Sequence, residues 1–227
     1  MRSSIKNVAA VMLCITPAAI AEQPQPKRVQ AESTSLTQFV PNGTIRIANS
    51  SGYLILEGWD RQDVEVTVLK WIDHEFAAAT AHLQDVSVTV EHPSSQELLI
   101  STARKGRRVE LKYHIYAPRG SRIAVQHHGG FIFLSGLTGD IDVSNRSGDI
   151  VLMLPDPASY AIDALSKFGV VAPDVAGTTK HKYLIGEQFT RDRQPPEHRM
   201  RLRIGFGGIT IKEVPPEGEP PVPTSTK

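Results

Sequence analysis

The sequence predicts an all-β protein: a β-solenoid-like stack of strand repeats, with longer antiparallel strands and one short helix. Three observations lead there. A glycine followed by alternating aliphatic residues, Gly-x-Φ-x-Φ, begins at Gly43, Gly52, Gly130, Gly139, Gly148 and Gly207, with a partial copy at Gly169. The intervals 43–52, 130–139 and 139–148 are nine residues each. Between the two repeat blocks lie longer apolar–polar alternations, and convincing helical periodicity occurs once.

In chain order, residues 1–21 read as an export signal. Arg2 and Lys6 form a positive start, "VAAVMLCITPAAI" is an apolar run too short to span a bilayer, and Ala19 and Ala21 suit cleavage before Glu22. Cys14, the one cysteine, lies inside that run. Acylation at Cys14 is the weaker reading, because Leu13 stands where a small residue is wanted. The mature chain is then free of disulfides, thiol nucleophiles and thiolate metal ligands. A disulfide-free exported chain fits the periplasm or outer surface of a bacterium. Residues 22–35, polar and proline-bearing, are expected to be a flexible leader, and strand patterning starts at Leu36. A single β-repeat domain is expected over 36–214, followed by an extended proline-rich tail at 215–227.

Within the domain, "GTIRI" and "GYLIL" open the first block. Nine residues hold a strand of about five and a turn of about four. The two Φ positions share a face, and a glycine before them suits a tight corner. Repeats this short cannot bury their own apolar face, so they must stack and share a core. The inward set is Ile45, Ile47, Leu54, Leu56, Ile132, Leu134, Ile141, Val143, Ile150, Leu152, Ile209 and Ile211. An antiparallel sandwich would alternate too, but the fixed interval and glycine phase favour stacking. Next come the runs 63–72, 86–92, 97–103 and 109–118, expected as antiparallel strands, with "RKGRR" (104–108) as the hairpin loop between the last two. "HEFAAATAHL" (74–83) is the predicted helix.

"NGTIRIANSSGYLILEGWDRQDVEVTVLK", and later "GSRIAVQHHGGFIFLSGLTGDIDVSNRSGDIVLMLP", resemble the adhesin-type families of bacterial envelope proteins. These include the DUF4097-type β-strand repeat proteins and the auto-transporter adhesin head domains. The likeness covers most of 36–212 and includes a Gly58-Trp59-Asp60 corner. It implies a β-solenoid-like fold and an extracytoplasmic site, and supplies no catalytic residues.

Candidate sites are few. Phe131 and Phe133 alternate with Ile132 and Leu134, so that strand is apolar on both faces. Its outer face is either covered, by the helix or by 183–189, or forms an aromatic patch for a partner or sugar. Covering is the simpler expectation. Asp140, Asp142 and Asp149 should face outward. They are read as a solvated acidic face, or as partners for the stripe of Arg199, Arg201 and Arg203, rather than as a calcium site. His127 and His128 point to opposite faces and match no zinc spacing, which leaves them structural or surface roles. The sequons at Asn42, Asn49 and Asn145 are explained by turn chemistry. No nucleophile elbow or phosphate loop occurs, so no catalytic residue, metal or cofactor is assigned. Removing residues 1–21 takes away Arg2 and Lys6 and no acid, turning the formal charge from +1 to −1. No global attraction to nucleic acid follows, and no second apolar run reaches membrane length.

The expected function is a non-enzymatic binding or scaffolding module of the cell envelope, contacting an envelope protein or polysaccharide through Phe131, Phe133 and exposed edge strands. One alternative is a carbohydrate-active enzyme using the Asp140, Asp142 and Asp149 face with Arg146 or Lys167. Another is a periplasmic component of an envelope regulatory system, acting through a protein partner.

Overall fold

The structure, a computed structural model, describes residues 28–73, 82–106, 109–192 and 197–214. The signal, the proline-rich tail and most of the predicted helix (74–81) lie outside the described residues. Of that helix only His82 and Leu83 are described; both are helical, and Leu83 is buried.

Long strands bent at a glycine dominate the described residues. They are β2 (Thr44–Trp59), β7 (Arg122–Ser135), β8 (Ile141–Leu154) and β13 (His198–Glu213), bent at Gly52, Gly130, Gly148 and Gly207. They lie side by side and parallel, in the order β2, β7, β8, β13, with the four corner glycines in register. At Gly148 the bend has φ +114°, and an added Cβ would sit 2.0 Å from the carbonyl oxygen of Gly130. Only a residue without a side chain allows backbones to approach that closely. Each bent strand therefore has two arms.

The apolar phase shifts by one residue at each corner. Ile141, Val143 and Asn145 are inward before Gly148, and Ile150, Leu152 and Leu154 after it. This shift keeps the aliphatic side chains inside on both arms. All twelve residues of the predicted inward set are at most 1% exposed and belong to one core. Gly130 and Gly148 pair in register and are two nine-residue intervals apart, so Gly139 between them serves a different corner. There its Cβ would meet the carbonyl oxygen of Ser121 at 2.2 Å. The Tyr160 hydroxyl, buried, donates to the carbonyls of Leu137 and Gly139 at 3.2 and 3.1 Å and closes that second corner.

Other strands extend the stack. β9 (Tyr160–Phe168) and β10 (Val171–Pro173) flank Gly169 and pair in parallel with the two arms of β13. β5 (Glu97–Arg104) and β6 (Glu110–Pro118) pair in parallel with the two arms of β2. β5 and β6 are thus not the hairpin expected from sequence, and residues 107 and 108 of its expected loop lie outside the described residues. β5 and β6 do not pair with each other but continue the two arms of β2 on its other side. Arg104 donates to Ser51 Oγ at 2.5 Å and to the Val109 carbonyl.

Antiparallel strands finish the sheet. β1 (Arg28–Gln38) pairs with β3 (Asp63–Asp73), which pairs with β6. β4 (Val86–Ser94) pairs with β5, and β11 (Thr178–Lys182) with β12 (Gly186–Arg191), which pairs with β9. Strand pairing begins at Arg28, inside the stretch expected as a leader. Backbone bonds to β3 plus a Thr34–Thr67 hydroxyl contact at 3.0 Å hold this mostly polar stretch. The path runs from β1 to β11, so the sheet is open.

Candidate functional site

Outward residues of the second arms form rows across the stack. Tyr53 pairs with Phe131 and Phe131 with Asp149; Ile55 pairs with Phe133 and Phe133 with Val151. Tyr53 is 51% exposed, and its ring lies 6.5 Å from that of Phe131. Phe131, Phe133, Ile55 and Val151 are half-buried; of the two segments expected to cover them, the helix lies outside the described residues. The segment 183–189 does not cover them. Its β12 portion continues the sheet beside β9, on the first arm of the stack. Beside Tyr53 and Phe131 a shallow depression of about 480 Å³ has a polar rim supplied by Arg104, Glu110 and Asp149.

Further along this face Trp59 stacks on Tyr116, with centroids 5.1 Å apart, and the Arg61 guanidinium lies 4.3 Å over the indole. The indole nitrogen donates to the Asp63 carbonyl at 2.8 Å. The Gly-Trp-Asp corner is explained locally. A Cβ on Gly58 would fall 2.0 Å from the Gly136 carbonyl oxygen, and Asp60 accepts from Arg119 at 2.8 Å.

The three aspartates do not converge. Asp140 and Asp142 are on or just before the first arm of β8, and Asp149 begins its second arm, past the corner. Asp140 accepts from the Arg199 backbone at 2.8 Å and lies 3.9 Å from Arg122. Asp142 faces Arg201 at 3.8 Å, across the register that pairs β8 with β13. Asp149 accepts from the Gly208 backbone at 3.0 Å. The acidic and arginine stripes do lie side by side, as one sequence reading has it. Such exposed pairs contribute about 0–1 kcal/mol each. Arg203 is more enclosed and holds Asp163, which also accepts from Gln188 at 2.8 Å. Burial alone would raise the Asp163 pKa, but the Arg203 and Gln188 bonds outweigh it and hold the carboxyl below its usual range.

Inside the corner runs a polar ladder. Ser50 pairs with His127 and His127 with Asn145, each the last inward residue before its glycine. His127 Nε2 bonds the Gly52 carbonyl at 3.2 Å, and Asn145 donates to the Gly130 carbonyl at 3.2 Å. Ser166 does the same for Gly207 at 2.8 Å. These side chains give hydrogen-bond partners to carbonyls at the bends. Burial lowers the His127 pKa to about 4, so the ring is neutral; with Nε2 donating to Gly52, Nδ1 accepts from Ser50 Oγ at 2.8 Å. His127 is therefore structural. Asn42 turns the chain at φ +58°, as its turn reading requires.

Among the described residues no group of three or more His, Cys, Asp or Glu side chains is placed to hold a metal ion. Nor is any helix there long and apolar enough to cross a membrane. The sequence pointed to Phe131 and Phe133 but missed Tyr53 and Ile55, although "GYLIL" carries them at the same phase after its glycine as "GFIFL".

No family model matches the chain, and no curated protein matches it. Solved structures do. A protein from Clostridium sporogenes, provisionally termed a cell adhesion protein, superposes with a TM-score of 0.50 at 11% identity. The match covers 82% of this chain and all of that one, and at this identity shows likeness of fold alone. Provisionally named adhesins from Bacteroides fragilis and Parabacteroides distasonis match with TM-scores of 0.26 and 0.22, at 11% and 9% identity. They cover 84% and 81% of this chain, and 100% and 97% of their own. Those two scores are too low to carry an argument.

Proposed function

We propose that this chain is an exported, non-enzymatic, β-solenoid-type module of the bacterial cell envelope. In this reading it binds envelope polysaccharide through the outer face of the second arms. The observation that carries the reading is the exposed Tyr53 beside Phe131, continued by Ile55 and Phe133 and rimmed by Arg104, Glu110 and Asp149. Flat aromatic rings offer the apolar faces of sugars a platform, and a polar rim offers their hydroxyls partners. The parallel, in-register rungs support the solenoid description, and the fold likeness to the Clostridium protein supports an adhesive role.

An enzyme built on Asp140, Asp142 and Asp149 needs those carboxylates at one cleft, and they lie on two arms. Calorimetric titration with a panel of soluble envelope polysaccharides tests the proposal. Tyr53→Ala is expected to weaken the polymer that binds by about tenfold while leaving the melting temperature unchanged, because its ring is half in solvent. Binding untouched by Tyr53→Ala and Phe131→Ala would remove this face from consideration. The appearance of unsaturated uronic-acid products in the same mixtures would refute the non-enzymatic reading.

A further inference from the structure

At the corner where β9, β12 and β13 meet, six large apolar side chains face solvent. Tyr183, Leu184 and Ile185, at the tip of the β11–β12 hairpin, are 69%, 96% and 68% exposed. The Gly169 backbone nitrogen donates to the Ile185 carbonyl at 3.1 Å, which sets this tip beside Phe168 and Val170. Phe168 stacks on Phe206 with ring centroids 4.8 Å apart and 10° between planes. Phe168, Val170 and Phe206 are 42%, 59% and 58% exposed.

The fold does not require aromatic side chains here. The residue before each corner glycine is Ser51 in β2, Gly129 in β7 and Ser147 in β8, yet Phe206 in β13 and Phe168 at the end of β9. Ser147, Phe206 and Phe168 occupy one register row, so the same backbone position is polar in one rung and aromatic in the next two. A monomer gains nothing by exposing stacked phenylalanines, and clustered exposed apolar residues mark an interaction site.

Basic side chains predominate around the cluster. Lys180, His181 and Lys182 lead into the tip, and Lys167 precedes Phe168. A shallow depression of about 970 Å³ beside the phenylalanine pair is lined by His128, Arg146, Lys167 and Arg203, the last paired with Asp163. The acid nearest the tip in sequence, Glu187, is engaged by the Val171 backbone at 2.9 Å and lies 3.9 Å from His181. Self-association through the cluster would bring two sets of lysines together, which costs affinity. An anionic bilayer offers the complement: an apolar layer for the tips, and phosphates at the depth of the cations.

We propose that this corner docks the protein on an anionic lipid surface, with Leu184, Ile185 and Phe206 entering the headgroup boundary and Lys167, Lys180 and Lys182 meeting the phosphates. Its residues are distinct from those around Tyr53. The test is cosedimentation of the full chain with vesicles of phosphatidylglycerol and phosphatidylethanolamine, against phosphatidylcholine vesicles. Binding is expected to the anionic vesicles, and to weaken with salt. Leu184→Ser combined with Phe206→Ser is expected to reduce it about tenfold, as is Lys180→Glu combined with Lys182→Glu, with melting temperatures and Tyr53-dependent glycan binding unchanged. Failure to bind the anionic vesicles, or equal binding to both kinds, overturns the proposal. So does concentration-dependent dimerisation that Leu184→Ser abolishes, which would assign the cluster to a second copy.

Discussion

His127 shows how a polar side chain comes to be needed inside an aliphatic core. At the bend the Gly52 carbonyl points at the Gly130 corner of the neighbouring strand, and a buried carbonyl without a partner costs about 1–3 kcal/mol. The imidazole meets it as a neutral donor, with Ser50 on its other nitrogen. Its pKa is about 4 in the fold against about 6.5 in an unfolded chain. A base depressed in this way gives stability that is complete above pH 6.5 and is lost as pH falls toward 4, because there the unfolded chain binds the extra proton. The slope in that window is about 1.4 kcal/mol per pH unit. His127→Gln keeps a donor for Gly52 but cannot titrate. Urea unfolding at pH 7 and pH 5 should therefore show the native chain losing about 2 kcal/mol more than the variant. Equal losses would mean that the ring is not the group responsible.

At the scale of elements, a strand's partners are harder to read than its facing. Period-2 alternation placed every predicted inward residue correctly, from Ile45 to Ile211, because it depends only on neighbours in sequence. Alternation is the same in parallel and antiparallel strands, so it could not say that β5 and β6 each lie parallel to β2. That choice rests on contacts far apart in the chain. Nor could the nine-residue interval show that successive glycines serve alternate corners. The Gly130–Gly148 row makes a sharp prediction. Gly148→Ala brings a Cβ to 2.0 Å from the Gly130 carbonyl oxygen at a φ that side chains rarely adopt, and should cost about 2–4 kcal/mol in urea unfolding. Gly106→Ala, whose Cβ would find only Asp85 Oδ2 at 3.8 Å, should stay within about 0.5 kcal/mol of the native chain. Similar costs at both positions would deny the corner ladder its special role. The aromatic step from Ser147 to Phe206 to Phe168 was also open to inspection, since aligning the repeats on their glycines exposes it. It passes unnoticed when each phenylalanine is weighed alone.

For the molecule as a whole, the strand order of the open sheet implies that stability is unevenly shared. β8 has a parallel neighbour along both arms on each side, β7 and β13, and its inward side chains are fully enclosed. β11 ends the path, pairs with β12 alone, and has all five residues exposed. Its Lys180 and Lys182 guard that open edge against pairing with another chain, as charged residues on edge strands do. In an open sheet each strand draws its stability from its neighbours, so protection should fall outward from the middle. Native-state hydrogen exchange is expected to find the amides of β7, β8 and β13 opening only with global unfolding, at a free energy within the roughly 5–15 kcal/mol typical of domains. The amides of β4, β11 and the Tyr183–Ile185 tip should open locally at a small fraction of that. Uniform protection would instead mean that the sheet melts as one cooperative block, so that the outer rungs stabilise the centre as much as the centre stabilises them. The expected gradient leaves a rigid aromatic face near β2 and β7 and a yielding apolar tip at β11–β12. Those are the mechanical properties that holding a polymer and entering a lipid surface respectively demand.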